Sequence, residues 1–321
     1  MTTRPAVGVT LPRGLPHGQV LDFARRADVL GFDELWVVED LGFRGGIAQA
    51  SAVLAVTARL RVGVGVLPAA VRNPASAAME IATIAQLFPG RVDVGIGHGM
   101  PAWMRSVGAW PRSPLRLLEE TLVTVRALLR GDEVHLAGAD AVGPTSTVRL
   151  DAAIVPEVAP RLFAGVRGPR SLALSGRVAV GTVLAEPCTP DYVRAAVAQI
   201  AAPGPHRVVA YNVASVHDDP AVAIAQARGA LRWIGEPDFA PHLAPLSFGP
   251  ELAALRARCG SPEEFAGRLP DAWVARLALV GTPDVVRARL AELADAGVAS
   301  NVFIPAAPDP YAALKDLAQV L

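Results

Sequence analysis

The pattern that most constrains this chain is a repeated alternation of short, almost unbroken apolar runs with amphipathic segments. Strands that are apolar on both faces suit a parallel sheet covered by helices on both sides. The runs fall at Ala6–Leu11, Glu34–Val38, Leu60–Leu67, through Val92, Val94 and Ile96, then at Pro160–Ala164, Val178–Leu184, Arg207–Val216 and Asn301–Ile304. Between them, Val20–Leu30, Ile47–Thr57 and Pro220–Ile234 have helical spacing. Other helices announce their starts with a capping residue followed by proline, as in Asn73-Pro74, Ser113-Pro114, Thr189-Pro190 and Thr282-Pro283. In the helix from Ser113, Leu118, Leu122, Val125 and Leu129 share one face. Eight such strands in 321 residues predict an α/β fold, a (β/α)8 TIM barrel, over 1–321 as a single domain. Two glycine- and proline-rich stretches, near 132–156 and 235–270, read as insertions. The first carries Gly138, Gly143 and Pro144 and a hairpin, the second a capping box at Ser261 and Glu264. A doubly wound open sheet is the alternative.

Composition narrows the function. A hydrophobic fraction of 52%, 19% charged residues and zero formal net charge describe a soluble globular protein with a large core and no nucleic-acid or membrane surface. No apolar run reaches the roughly 18 residues of a membrane span. The chain has only Cys188 and Cys259 and no signal-peptide layout, which fits the cytoplasm. Its one lysine, Lys315, sits on an amphipathic end helix, so Schiff-base chemistry is not expected. The six histidines are scattered, with no metal-ligand spacing.

In a barrel the chemistry lies at the C-terminal strand ends, here Glu39-Asp40, Gly65–Pro68, Gly97–Met100 and Ala164–Pro169. The stretch RVDVGIGHGMPAWM places Gly95, Gly97 and Gly99 where a strand ends, so a flat ligand is expected to approach bare main chain there. An ordinary turn reads equally well. Gly95 and Gly97 begin a G-x-G-x-x-G pattern, but its third position is Met100 and prolines delay the helix, which argues against a dinucleotide fingerprint. His98 stands between two of these glycines. Gly165-Val166-Arg167-Gly168 enters a helix at Pro169, an arrangement suited to a phosphate.

Four stretches, in order, resemble the luciferase-like monooxygenase superfamily and its coenzyme F420-dependent oxidoreductase branch. They are VGVGVLPAAVRNPASAAMEIATIAQLFPGRVDVGIGHG, SPLRLLEETLVTVRALLRGD, AGVRGPRSLALSGRVAVGTVL and LVGTPDVVRARLAELADAGV. The resemblance implies a deazaflavin (F420) or FMN bound across the strand ends of a barrel, with a non-prolyl cis peptide at Gly65-Val66 behind the ring. It implies ring neighbours at Asp40, His98 and Gly99, and a phosphate loop at Ala164, Gly165, Val166, Arg167 and Gly168, with Gly181 and Thr182 on the next strand. Asp40 and His98 are the candidate catalytic residues. It further implies hydride transfer to a small organic substrate, a homodimer, and a separate reductase supplying reduced cofactor. The histidine and acid of the sugar-phosphate dehydrogenases of this branch are replaced here by Leu41 and Met100, which argues against that reaction. An FMN-dependent monooxygenase and a cofactor-binding protein without turnover are the alternatives.

Overall fold

A computed structural model of the protein describes residues 4–136 and 147–321. Eight parallel strands form the ring: β1 (Ala6–Thr10), β2 (Glu34–Val37), β3 (Arg61–Pro68), β4 (Val92–Gly97), β5 (Arg161–Gly165), β6 (Gly181–Leu184), β7 (Arg207–Val216) and β8 (Ser300–Pro305). Each pairs with its neighbours in sequence; β8 returns to β1 with Ser300 opposite Ala6, and β6 joins β7 with Gly181 opposite Arg207. The ring is therefore closed, and the open doubly wound sheet is excluded.

Helices α1 (Val20–Leu30), α2 (Gly46–Val56), α3 (Pro74–Leu87), α4 (Pro101–Ser106), α5 (Pro114–Leu129), α6 (Pro169–Val178), α7 (Pro190–Ile200) and α8 (Pro220–Arg228) follow the strands. The cap-proline signals act as expected at several starts. Asn73, Thr189 and Asp219 each accept a hydrogen bond from a first-turn amide, and proline fills the position whose amide would lack a partner. Between the strands and helices lies one continuous layer of buried Val, Leu, Ile and Ala.

Inside the ring, Trp36, Phe163, Val183, Val209, Tyr211 and Val302 form a separate packed plug. Trp36 meets Phe163 edge-on at 6.0 Å and Tyr211 at 5.8 Å. Gly63 carries no Cβ because one would overlap the Trp36 indole. The N-terminal end of the ring is closed by ions. Glu34 accepts from the Trp36 indole (2.8 Å), Ser300 (2.6 Å) and Arg207 (3.0 Å), and Asp93 is gripped by Arg161 at 2.8 Å. Two hollows of about 230 and 400 Å³ also lie at this end, and the guanidiniums lining them are already paired with carboxylates.

Three details depart from the sequence reading. Strand β6 begins at Gly181, because α6 runs on to Val178. The 235–270 stretch is helical, with α9 (Ala240–Leu243), α10 (Gly249–Ala257) and α11 (Pro262–Arg268), and α12 (Asp271–Leu277) follows it. These helices bury Leu243, Leu252, Phe265 and Leu277 in a second apolar cluster beside α8. A three-residue strand, Leu279–Gly281, then pairs with the extended end of β7 before α13 (Pro283–Asp295). In the 132–156 insertion, Val134–His135 pairs with Thr147–Val148 as a hairpin, whereas Gly138, Gly143 and Pro144 lie outside the described residues. Helix α14 (Pro310–Leu317) ends the ring. Among the described residues no helix is long and apolar enough to cross a membrane.

Candidate active site

The C-terminal mouth of the ring is organised around Val66. The Gly65-Val66 peptide is cis, at the position the family resemblance implies, and β3–β4 pairing jumps there from Val64 to Leu67. The half-buried Val66 side chain is flanked by glycines of two neighbouring strands. A Cβ at Gly95 would lie 2.8 Å from Val66 Cγ1, one at Gly97 2.9 Å from Cγ2, and one at Gly165 would overlap Cγ1. The glycines thus make room for Val66 and, at Gly97, also for the Gly165 carbonyl oxygen 2.8 Å from where a Cβ would be, not directly for a ligand, which corrects the expectation of a bare main-chain wall. Gly99 has a different reason to be glycine: its φ is +73° and the Met104 sulfur lies 2.9 Å from where a Cβ would be.

The two carboxylates after β2 diverge, as adjacent residues on an extended chain must. Glu39 turns outward, ion-paired with Arg72 at 2.8 Å and accepting the Gly46 amide at 2.7 Å, so it anchors the start of α2. Asp40 stays at the mouth, ion-paired with Arg13, whose guanidinium lies 4.7 Å from the Phe43 ring centre. A third carboxylate, Glu186, follows β6. Its half-buried carboxyl is surrounded by protein, and burial raises its pKa, opposed by the charges of Arg167 and Arg13.

The anion-binding features lie between β4 and β5. Gly168 is the N-cap of α6, Pro169 its first residue, and no side chain caps that terminus, so its amides and dipole face the mouth. A Cβ at Gly168 would meet open space. His98, after β4, shares a 3.0 Å hydrogen bond between Nε2 and Ser171 Oγ in the first turn of α6. Its Nδ1 is buried with no well-formed hydrogen bond, and burial lowers its pKa, opposed by the nearby main chain of Pro114. Structure therefore ties His98 to the α6 terminus.

Arg167 points away from the loop amides. It donates to the Asp238 carbonyl oxygen at 3.2 Å and lies 5.0 Å from the Phe239 ring centre, strapping the 237–243 segment to the β5 loop. Ala164 and Val166 are buried against the helix layer, leaving only their main chain to serve a ligand. Gly181 and Thr182 are the one part of the sequence-read site that lies elsewhere. They open β6 at the opposite end of the ring. Gly181 packs beneath Phe163, and Thr182 is fully buried, bonded to Ser175 (2.7 Å) and His206 (2.8 Å). The family resemblance maps them to a strand end at the mouth, whereas here they begin the strand. The loop after β6 carries Glu186, which the sequence reading did not single out. Its signal was the same one that drew attention to Asp40: an acid directly after an apolar run.

With this geometry in place, the relatives of the chain are informative. Residues 2–300 match the luciferase-like monooxygenase family. The chain belongs to that family. It is 27% identical to the 5,10-methylenetetrahydromethanopterin reductase of Methanolobus tindarius, over 94% of each chain. It is 31% identical to an F420-dependent glucose-6-phosphate dehydrogenase of Microbacterium testaceum, over 51% of this chain and 52% of that one. Its fold is similar to that of the coenzyme F420-dependent tetrahydromethanopterin reductase of Methanopyrus kandleri, with a TM-score of 0.83, 20% identity and 99% of both chains covered. The protein is thus an oxidoreductase of the luciferase-like family, built on a (β/α)8 barrel.

Proposed function

We propose that this luciferase-like oxidoreductase binds coenzyme F420 and transfers hydride between it and a small organic substrate. The observation that carries the reading is the pairing of two features at adjacent strand ends. The Val66 bulge offers an apolar wall for a planar ring, and the uncapped α6 terminus beside it offers amides for a phosphate. The residues fit such a group: the space at Gly168 is open, and no side chain caps the α6 terminus beside it.

In this reading the cofactor supplies the hydride chemistry, and the protein supplies position, dryness and charge. Gly65 and Val66 back the ring. The free main-chain amides at the start of α6, from Gly168, Arg170 and Ser171, and the α6 dipole hold the phosphate, with His98 and Gly99 at its edge. Ser171, accepting from or donating to His98, fixes which imidazole nitrogen faces the mouth. Asp40, held by Arg13, borders the substrate side. Arg167 holds the 237–243 segment over the same loop, excluding water where charge must be felt. Homodimerisation, a cytoplasmic location and supply of reduced cofactor by a separate reductase belong to the same proposal and rest on the family resemblance.

The test is equilibrium titration of the purified protein with F420 and, separately, FMN, followed by absorbance and retention on gel filtration. Micromolar or tighter retention of F420 with weaker FMN binding is expected. Preference for FMN would shift the assignment to a flavin monooxygenase, and binding of neither would overturn the cofactor reading.

A further inference from the structure

At its N-terminal pole the ring presents a charged floor whose charges do not cancel. Trp36, Phe163, Val209 and Val302 belong to the inner plug, and Gly63 faces Trp36. Glu34, Arg161, Arg207, Ser300 and Arg61 stand two residues before them on the same strands and so face the axis as well. Asp93, only 1% exposed, joins them, held by Arg161. The floor therefore sets three guanidiniums against two carboxylates. At its rim Arg4 and Asp33 pair with each other at 2.8 Å and cancel. One positive charge is left over among the residues that line this end.

The two carboxylates are shared unequally. Asp93 takes Arg161 through two nitrogens, with Nε at 2.8 Å and Nη2 at 2.5 Å, whereas Arg61 reaches it only through Nη1 at 3.4 Å. Arg207 donates one hydrogen bond to Glu34, and the other Glu34 oxygen is taken by the Trp36 indole and Ser300. Arg207 Nε is buried without a partner. A guanidinium carries five N–H groups, so Arg61 and Arg207 keep most of theirs unspent on the protein. These two stand on β3 and β7, four places apart in the ring and so diametrically opposite. They nevertheless line one hollow of about 400 Å³ together with Arg4 and Arg161, a size within the about 300–1,000 Å³ of small-molecule sites. A second hollow of about 230 Å³ shares Arg61 and Arg161 and runs on over Val92, Val158 and Pro160. The plug of Trp36, Phe163 and Tyr211 separates both from the mouth.

We propose that this floor is a second binding site, for a small organic oxyanion, held between Arg61 and Arg207. The ligand is a carboxylate or a phosphate monoester, because planar guanidinium forks match two oxygens of either group. Its charge neutralises the surplus of the floor, and the recessed walls strengthen the attraction by focusing the field. The adjoining hollow over Val92, Val158 and Pro160 takes an apolar body attached to the anionic head. Bound there, the ligand links the starts of β3 and β7 and stabilises the closed ring, without touching the residues at the mouth.

Calorimetric titration with inorganic phosphate and, separately, benzoate, at constant ionic strength, tests this in wild type and in Arg61→Gln. That substitution removes the surplus charge and leaves Asp93 its bidentate partner Arg161. Wild type should bind at least one of the two probes, and the tighter of them names the head group. At about ten times its Kd that probe should raise Tm by about 2 °C. Arg61→Gln should weaken the binding about ten-fold or more, the loss of a charge-assisted contact. Binding of neither probe to wild type overturns the proposal. So does binding that Arg61→Gln leaves unchanged, which belongs to the mouth. A wild-type crystal soaked in selenate gives a readout that needs no variant. An anomalous peak between Arg61 and Arg207 is expected, and a floor without one overturns the site.

Discussion

Replacing Gly165 by alanine should test the packing that shapes the mouth. An added Cβ overlaps Val66 Cγ1, and its next neighbours are Val66 Cβ at 3.2 Å and Cγ2 at 3.3 Å. The clash is with a β-branched side chain on a main-chain bulge, which has little freedom to move away. Overpacking of this kind costs about 1–3 kcal/mol. For 321 residues the unfolding entropy is about 0.7 kcal/mol per kelvin, so a central value of about 2 kcal/mol lowers Tm by about 3 °C. Val66→Ala alone removes two methyl groups from a half-buried site and should cost about 1 kcal/mol. In the double variant the offending methyls are absent and only the 3.2 Å approach of two Cβ atoms remains. Its loss should fall short of the sum of the singles by about 1 kcal/mol or more. Urea denaturation of the four proteins measures this. A Gly165→Ala protein within about 0.5 kcal/mol of wild type, or strict additivity, would refute the idea that these glycines exist to seat Val66.

Two further outcomes follow from the site. His98→Ala and Ser171→Ala should each weaken F420 binding about five-fold, the equivalent of one hydrogen bond of about 1 kcal/mol, and the double variant should be little worse than either. Equal affinity in all variants, read from the same F420 titration, would separate His98 from the phosphate. The second concerns His242, which is fully buried against Tyr192 with ring centres 4.1 Å apart and has its pKa depressed to about 3, chiefly by burial. Because the folded value lies below the unfolded value of about 6.5, the stabilisation is complete above that pH and is lost as pH falls towards 3. Between pH 7 and pH 5 the native state should lose about 2 kcal/mol on this account. His242→Phe should remove that component, and an unchanged pH dependence of urea stability would contradict it.

The barrel was legible because its grammar is local. Each strand is an apolar run too short to be a helix, and each helix start at Asn73-Pro74, Thr189-Pro190 or Asp219-Pro220 carries its own cap and proline. Closure of the ring followed from the count. The missing pieces depend on contacts that sequence spacing does not encode. The strand Leu279–Gly281 is three residues long and exists because β7 overruns its neighbours. α4 starts at Pro101 inside a stretch that reads as a turn. The glycines at 95, 97 and 165 signalled close approach correctly, but what approaches is the Val66 side chain from another strand, placed by the register shift after Val64. Arg167 was expected on the phosphate and instead holds Asp238, because the helical excursion that brings Asp238 near was invisible as a tertiary neighbour.

The central claim is that a planar ring lies on Val66 while its phosphate meets the start of α6. A crystal structure of the protein with F420 measures both at once. The account expects the ring face in van der Waals contact with the Val66 side chain and phosphate oxygens within hydrogen-bond distance of the amides of Gly168, Arg170 and Ser171. A ring bound away from β3, or a phosphate held elsewhere with the α6 amides facing solvent, would contradict it.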